Sequence, residues 1–544
     1  MNIDAAPEAV PAAMPASESE APSGEVSVVR ATGVIALGNI ASRVLGLARE
    51  TLLSDLFGAG AAVDAFQVAV IVPRTLYDLL IGGHVNSALV PVLSEYAVRG
   101  GRAALWQLVS LLLGVATTIL ALLVLMLEML APQVIALVSG GASAEAQALA
   151  ADLLRITAPA LFFLGLFAVL SGLLYALRRF TLPAFAGAVF NGCIVLVALL
   201  VAPTLGITAM ALGWLVGAVV QMGMQFVGLR DARLWPTLRG AWSNPGLRRI
   251  GLLYLPVLFS LVIDTLVIRV VSYHLASQAG EASISYMSYA TTLIQFPHGL
   301  VATAISLAIL PTLSRQAALI TAEGDKSYKH TLGRGLRLAV VLILPATVGL
   351  FVLATPVVRL IFEHGSFTPV DTAITSLALQ LYLFGLPFAA VDLLLVFAFY
   401  ARQDTVMPAL VGVISLGAYM AVALGLMPRY GLFSLMIADS VKHMLHAGIS
   451  SWLLGRQTGG LHGQRLAPTA LKAGVAALAM GLMVYIGERA VAALIPPASL
   501  VGELILVGGA GMIGAVTFLA LAALLRVEEL SWLWGIVRER LGHS

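Results

Sequence analysis

The sequence is poor in charge and in cysteine. Only 11% of its 544 residues are charged and 60% are hydrophobic, whereas a soluble domain carries about 25% charged residues. The single cysteine, Cys193, excludes an internal disulfide bond and any cysteine-cluster metal or iron–sulfur site. The net charge of +3 is too small to indicate nucleic acid as a partner. These deficits predict an all-α polytopic membrane protein.

The motifs of several enzyme classes are also missing. The sequence has no phosphate-binding loop of the form GxxxxGK(S/T) and no HExxH zinc motif, so we expect neither ATP hydrolysis nor a bound metal. No cofactor is predicted, and any driving force must come from the membrane potential or an ion gradient. Residues 1–28 contain no lysine or arginine, which excludes a secretory signal and predicts a disordered cytoplasmic tail.

Apolar segments of about 20 residues, the length that crosses the hydrocarbon core of a bilayer, recur about fourteen times. They lie near residues 30–54, 63–97, 104–131, 149–177, 182–203, 206–229, 248–276, 283–314, 333–356, 373–401, 405–427, 430–454, 467–494 and 499–525. The second and the eighth are longer than a bilayer needs, and each contains two prolines. We therefore expect these two helices to be tilted, kinked or locally unwound where they line a cavity.

The basic residues of the loops are distributed unevenly. If the N-terminus is cytoplasmic, most loop lysines and arginines fall on the cytoplasmic side, and the opposite loops hold only Arg359, Arg429 and Arg489. Cytoplasmic loops are the ones enriched in lysine and arginine. The distribution therefore predicts that both termini are cytoplasmic.

The chain contains a weak internal repeat. The segment Tyr175-ALRRFTLPAF recurs as Tyr400-ARQDTVMPAL, and Ser87-ALVPVLSEY recurs as Leu307-AILPTLSRQ, about 220 residues apart in each case. Six predicted spans separate the copies, which favours two parallel repeats with a substrate path between them. The predicted organisation is a tail at 1–28, an N-lobe of six spans at 29–230, a C-lobe of six spans at 231–456, a final pair of spans at 457–526 and a tail at 527–544.

The first two spans carry charges that are costly inside a membrane. They are Arg43, Arg49, Asp64, Arg74, Asp78 and His84. Such residues indicate a functional site, although structural ion pairs within the bundle would also explain them. Arg43 and Arg49 point about 120° apart, so both could border one wide cavity, and arginine is suited to bidentate capture of phosphate. Arg74 and Asp78 are four residues apart on one helix face, where they are expected to pair.

Several motifs carry a family resemblance. They are SRVLGLARE, FGAGAAVDAF, NSALVPVLSEYA, RRFTLPAF, FPHGLVATAISLAILPTLS, IFEHGSFT and FYARQD. Together they resemble the MurJ (MviN) lipid II flippases of the multidrug/oligosaccharidyl-lipid/polysaccharide exporter superfamily, over about residues 30–525. The resemblance implies two six-helix lobes plus two C-terminal helices in the bacterial inner membrane, and a central cavity lined by essential arginines. In that alignment Arg43, Arg49 and Asp64 fall on the family's cavity positions.

The chain departs from the family pattern at two arginine positions, which read Tyr77 and Thr292 here. Arg74 lies one helical turn before Tyr77 and could restore a positive charge. Arg269 could do the same in the second lobe. The remaining residues that we expect at the substrate path are Asp264, Gln295 and His298.

A second group of polar residues lies late in the chain, within apolar spans. It comprises Asp392, Asp439, Lys442, His443 and His446. Asp439 is three residues before Lys442 and four before His443, so a pair on one helix face is expected. A proton relay is the alternative.

These observations and the resemblance imply a flippase with no chemical step. The head group of an undecaprenyl-linked peptidoglycan precursor would enter the cationic cavity while its tail stays in membrane lipid, and Asp64 would hold an arginine in one of two states. Cell-wall synthesis proteins are possible partners. The alternatives are a flippase for another lipid-linked oligosaccharide of O-antigen or teichoic type, a MATE-like cation-coupled exporter, an intramembrane glycosyltransferase and a non-transporting cell-wall scaffold.

Overall fold

The computed structural model describes residues 22–80, 84–252, 268–319, 322–460, 463–494 and 499–529. Within these ranges the regular elements are all helices. The first half contains α1 (Pro22–Phe57), α2 (Ala61–Leu80), α3 (His84–Glu95), α4 (Gly101–Met129), α5 (Ala131–Ser139), α6 (Ala144–Ala176), α7 (Thr181–Leu205) and α8 (Thr208–Val227). The expected all-α polytopic fold is confirmed.

The second half continues from a basic linker. It contains α9 (245–252), α10 (Ile268–Gln278), α11 (Ser283–Pro297), α12 (Ala304–Ala318), α13 (Ala322–Val352), α14 (Ala354–Phe362), α15 (Pro369–Leu383), α16 (Leu386–Ala401), α17 (Val406–Tyr430) and α18 (Phe433–Thr458). Two further helices, α19 (Leu466–Leu494) and α20 (Leu500–Leu524), complete the chain. Nine helices of the described ranges are long and apolar enough to cross a membrane, or ten if the bent pair α15 and α16 is one span. The count of fourteen spans stays a prediction.

The outer helices present apolar side chains on the surface of the protein. Leu125 on α4, Leu199 on α7, Leu478 on α19 and Val516 on α20 are each more than half exposed. A water-soluble monomer does not expose a continuous apolar surface of this kind. Lipid chains are therefore the medium that these faces fit, and the buried apolar side chains form the interior of the bundle.

The internal repeat is visible in the helix positions. α2 begins at Ala61 and α11 at Ser283, 222 residues later, whereas α7 begins at Thr181 and α17 at Val406, 225 residues later. Each half also has a long helix followed directly by a short one, α4 with α5 and α13 with α14. α7 packs on α8 as α17 packs on α18. The two halves are thus structural copies in the same chain direction.

The eighth predicted span breaks as the sequence predicts, and a further helix pair is bent without having been predicted. In the eighth predicted span, α11 ends at Pro297 and runs through a π-helical turn, His298–Thr303 (the π-turn), into α12; such turns are frequent at functional sites. In the second, α2 ends at Leu80 and α3 begins at His84, and 81–83 lie outside the described residues. The 45° bend between α15 and α16 was not predicted. Gly385 and Pro387 at this bend account for it.

The two halves touch at one end of the bundle, which we call the closed end. There α1 packs on α11 and α14, α2 packs on α11, and α5 packs on α10. Main-chain atoms make several of these contacts: Ser366 N–H donates to the Asp55 carbonyl (2.8 Å), and the Tyr289 hydroxyl donates to the Gly58 carbonyl (2.7 Å). Gly58 has a positive φ of 66°, which glycine adopts without a steric penalty.

The final helix pair is attached to the second half. α19 packs on α13 and on α20 through small residues such as Ala473, Ala477 and Gly481, as is common between membrane helices. Midway along α13, the buried Arg337 Nε donates to Glu529 Oε1 (2.6 Å). This ion pair ties the segment after α20 to α13, so the final pair and the second half are one packing unit.

Candidate functional site

A cavity of about 1050 Å³ lies between the two halves. Its lining follows α1 from Ala36 to Glu50 and follows α11, the π-turn and α12 from Ser288 to Leu307. α2, α6, α7, α8 and α10 complete the wall. Since the halves meet at the closed end, the cavity extends toward the opposite end, where α1 begins; we call this the open end.

The cavity carries more positive than negative side chains. Its charged lining residues are Arg43, Arg49, Arg74, Arg269, Glu50 and Asp78. Four guanidiniums against two carboxylates leave an excess of two positive charges. A low-dielectric wall strengthens the attraction of such an excess for an anion, so the cavity is suited to a substrate with a compact negative group.

Arg43 connects the two halves across the cavity. Its Nη1 donates to the Gln295 main-chain carbonyl (3.1 Å), and its guanidinium lies against Gly299 in the π-turn, so closely that a β-carbon there would overlap it. Gln295 also lines the cavity. Only one N–H group of Arg43 has a protein partner in the described part of the chain, which leaves the others for a ligand.

Arg49 is held more firmly than Arg43. Its Nη1 donates to Asn191 Oδ1 (3.1 Å), and its Nη2 forms an ion pair with the buried carboxylate of Glu50. The guanidinium also lies 5.7 Å from the centroid of the Trp214 ring, within cation–π range. Arg49 is therefore a fixed positive charge in the wall of the cavity.

The predicted pair between Arg74 and Asp78 is wrong for this conformation. Asp78 Oδ2 instead accepts from Arg269 Nη1 across the cavity, at 2.6 Å. Asp78 pairs with the nearer of two guanidiniums. α10 places Arg269 closer to the Asp78 carboxylate than Arg74, which is on the same helix as Asp78. Arg74 is exposed to the cavity and has no hydrogen bond or salt bridge among the described residues. Arg74 and Arg269 both reach the cavity that also contains Tyr77 and Thr292.

Asp64 lies apart from the arginines. It borders a smaller pocket of about 270 Å³ at the closed end and accepts hydrogen bonds from the Ser285 N–H (2.7 Å) and the Ser285 hydroxyl. In this conformation its partner is therefore a serine of the other half. Whether Asp64 holds an arginine in a second conformation stays a prediction.

The remaining predicted residues are placed as follows. His298 lies in the π-turn, beside Asp392 on α16 rather than in the cavity wall. His84 begins α3, and its side chain lies outside what the structure describes, as does the whole of Asp264. Sequence reasoning missed Glu50, Asn191 and Trp214. A lone amide in the apolar run of α7 was the one signal for Asn191, and Glu50 could have been noticed beside Arg49.

The polar residues late in the chain form two ion pairs. Lys442 Nζ lies 2.5 Å from Asp439 Oδ1, which confirms the predicted pair on one helix face. His443 Nε2 is 3.7 Å from the same carboxylate. His446 Nδ1 lies 2.5 Å from Asp392 Oδ1 on α16. This group is in the second half and does not line the cavity.

Loops at the open end are joined by surface ion pairs. Arg179 donates to both carboxylate oxygens of Asp231, at 2.7 and 3.0 Å, and Arg102 lies 3.4 Å from the same group. The hydrogen bond from Arg179 lowers the pKa of Asp231 below its usual range. These contacts attach the basic linker that connects the two halves to α4 and to the turn before α7.

Comparisons with known proteins agree on one family. The family model described as "Lipid II flippase MurJ" matches residues 53–502. The chain is 32% identical to the lipid II flippase MurJ of Burkholderia cenocepacia over 391 residues, which cover 70% of this chain and 75% of that protein. It is 31% identical to a probable lipid II flippase MurJ of Vibrio cholerae over 427 residues, which cover 76% and 81%.

Solved structures show the same fold. A lipid II flippase MurJ in an inward closed conformation superposes with a TM-score of 0.75 at 23% identity and covers 91% of this chain and 99% of that one. An inward-facing MATE family transporter of the MOP superfamily gives a TM-score of 0.64 at 17% identity and covers 77% and 95%. The match over 53–502, together with the two curated relatives, establishes that the chain belongs to the MurJ lipid II flippase family.

Proposed function

We propose that the chain moves lipid II, the undecaprenyl-pyrophosphate-linked peptidoglycan precursor, from the cytoplasmic to the outer leaflet by alternating access. One observation carries the proposal: the cavity between the halves has four arginines against two carboxylates. A pyrophosphate is a compact anion with oxygens for several guanidiniums. The protein transports its cargo and catalyses no chemical step, in keeping with its family.

The arrangement of the arginines supports capture followed by transfer between the halves. Arg49 is fixed by Asn191 and Glu50, so it provides a preorganised charge. Arg43 and Arg269 each have partners in the opposite half. An anion that competes for these two guanidiniums would replace contacts between the halves by contacts to the cargo, which is a route to a change of conformation.

The direction of transport follows from the orientation that we propose. Arg178, Arg230 and Arg402 are among the many basic residues of the open-end loops, and cytoplasmic loops are enriched in such residues. With both termini cytoplasmic, the cavity faces the leaflet in which lipid II is made. The membrane potential could then reset the empty cavity, because each positive charge moved across it corresponds to about 2.3 kcal/mol per 100 mV. Contact with cell-wall synthesis proteins stays a prediction.

Complementation of a strain depleted of its own lipid II flippase tests the function. We expect the wild-type chain to restore growth and Arg43→Ala to fail, at equal amounts in the membrane. Arg155→Ala is the matched control, because Arg155 is an exposed α6 arginine paired with Asp152 outside the cavity. Absence of rescue by correctly inserted wild-type protein, or full rescue by Arg43→Ala, would contradict the proposal.

A further inference from the structure

A partly buried acid–imidazole pair lies between α16 and α18, apart from the arginine cavity. His446 Nδ1 and Asp392 Oδ1 are 2.5 Å apart, and their side chains are only 14% and 13% exposed. The Ser450 hydroxyl is 3.3 Å from the same imidazole nitrogen. Transport of an anion by the arginines gives this pair no role. An ionisable pair inside a membrane bundle is costly, so its presence indicates a function.

Asp392 differs from the other carboxylates of this region in the type of its counter-ion. Asp439 is neutralised by Lys442 at 2.5 Å, a permanent charge near neutral pH. In the ranges that the structure covers, Asp392 has no salt bridge to lysine or arginine, and its ion-pair partner is His446. An imidazole gains or loses its proton near neutral pH. The net charge of the Asp392–His446 pair is therefore zero or minus one, depending on one proton.

Other titratable or charged groups lie on the elements packed against α16. His298 on the π-turn and His443 on α18 interact electrostatically with Asp392, and Asp439 and Lys442 interact with His443. Further groups on these elements are Tyr382 on α15, Tyr419 on α17 and Arg337 on α13. Lys442 and Arg337 are already paired, with Asp439 and Glu529 respectively. His443 Nδ1 is buried and has no hydrogen-bond partner in the described structure. No other fixed positive charge among them is placed to neutralise Asp392.

The pair is linked to the cavity through the π-turn. This turn packs on α16, and its first residue, His298, forms a hydrogen bond with the main chain of Ala389, one helical turn before Asp392. The next residue, Gly299, lies against the Arg43 guanidinium. His298 and Gly299 are consecutive residues of the π-turn. A change in charge at Asp392 thus acts on the same helix turn that contacts Arg43.

We propose that the Asp392–His446 pair is a proton-binding site that couples the conformational change of the flippase to a proton. In the conformation described here the pair is nearly closed off from water. The protonated form, carboxylate with imidazolium, has no net charge there, whereas the deprotonated form would bury an uncompensated negative charge. The imidazole takes a proton from water while another conformation exposes the pair, and the protonated pair then favours the conformation that encloses it.

The sign of the effect follows from this argument. Because the protonated pair suits the buried environment, acid pH favours the conformation with the cavity open at the open end. A higher pH, by removing the proton, favours a conformation in which water reaches the pair. The proposal rests on the flippase function but predicts this shift in the empty protein, without any cargo.

The test measures the distance between the halves as a function of pH. In a Cys193→Ser background, fluorophores are attached to Ala103→Cys on α4 and Lys326→Cys on α13, both exposed near the open end. The protein is placed in lipid nanodiscs without lipid II and titrated from about pH 5 to about pH 9, a range that spans imidazole titration. We expect the mean label distance of the wild type to decrease as the pH rises.

The variants decide the outcome. Asp392→Asn and His446→Gln should each reduce the pH-dependent change in distance to the baseline, whereas His330→Gln, an exposed histidine on α13, should leave it unchanged. The exchanged pair Asp392→His with His446→Asp should restore the change, which a merely misfolded site would not do. A wild type with no pH-dependent distance, or both single variants retaining it, overturns the proposal. Failure of lipid II complementation with an intact pH response would overturn the transport function instead.

Discussion

At the scale of single residues, the two arginines of α1 differ in how they are held. Arg49 has Asn191, Glu50 and Trp214 as partners, so its position is set before any cargo arrives. Arg43 has one carbonyl partner and a glycine surface. We therefore expect the cargo to gain most from Arg43, whose free N–H groups can bind two oxygens of one phosphate.

This difference predicts the effect of a conservative substitution. Arg43→Lys keeps the charge but loses the planar pair of donors, so we expect lipid II binding to weaken about tenfold, in line with the loss of one charge-assisted hydrogen bond. Binding of fluorescent lipid II to the purified protein measures it. Arg155→Lys, the same change outside the cavity, serves as the control, and equal affinity of Arg43→Lys and wild type would show that charge alone suffices.

Local sequence rules reached some of these residues and not others. Arg43 and Arg49 could be predicted, because a charge inside an apolar span is conspicuous and the SRVLGLARE motif resembles a known family. The pairing of Asp78 with Arg269 could not, because 191 positions separate them and their contact depends on how the halves approach. Helical spacing favoured Arg74, a nearer residue that forms no salt bridge within the described part of the chain.

At the scale of helices, the irregular turns have more consequence than the regular spans. Prolines predicted the break in the eighth span, and the structure places a π-turn there, against Arg43. The bend between α15 and α16 was not predicted, because Gly385 is a single glycine within a long apolar run. There the main chain of Gly385 approaches Ser440 on α18, and a β-carbon would lie 2.8 Å from the Ser440 Cα.

The π-turn leads to a prediction that separates function from stability. Gly299→Ala would place a methyl group where the Arg43 guanidinium lies. A long side chain can move aside, so we expect thermal stability within about 0.5 kcal/mol of the wild type, together with a clear loss of lipid II transport. Gly448→Ala on α18 is the control, since a β-carbon there meets open space. A transport-competent, stable Gly299→Ala protein would show that Arg43 does not need this position.

At the scale of the whole molecule, hydropathy predicted the all-helical membrane fold, and the division into two copied halves and a final helix pair stays a prediction. Hydropathy could not predict the conformation. The closed end depends on contacts such as the Ser366 N–H to the Asp55 carbonyl, and main-chain contacts leave no pattern in side-chain hydrophobicity. A transporter must in any case have a second arrangement of the same sequence.

A substitution at the closed end should shift this equilibrium. Gly365 has a φ of 54°, and a side chain there would overlap the Asp55 carbonyl of the other half. Gly365→Val should therefore separate the halves at the closed end and change the conformational ratio about tenfold, because overpacking of a close contact costs roughly 1–3 kcal/mol. Labels on the two halves at that end would measure the change.

Gly431→Val is the matched control for this substitution. Gly431 has a similar φ of 51° but only one atom of another residue at 4.0 Å from a β-carbon, so it carries the strain without the overlap. If both variants shift the label distance equally, backbone strain and not contact between the halves explains the result. If neither does, the closed end does not depend on Gly365.

The main-chain contacts of the closed end also have a consequence for how this protein can diverge. The carbonyls of Asp55, Leu56 and Gly58 accept hydrogen bonds whatever side chains their own residues carry, although the hydroxyls of Ser366 and Tyr289 donate two of these bonds. Random drift can therefore exchange the side chains of Asp55 and Leu56 without opening this surface. Gly58 and Gly365 are the exceptions, because each has a positive φ and a main-chain oxygen of the other half in the place of a β-carbon. Relatives that close in the same way should differ widely around these two glycines and still retain both.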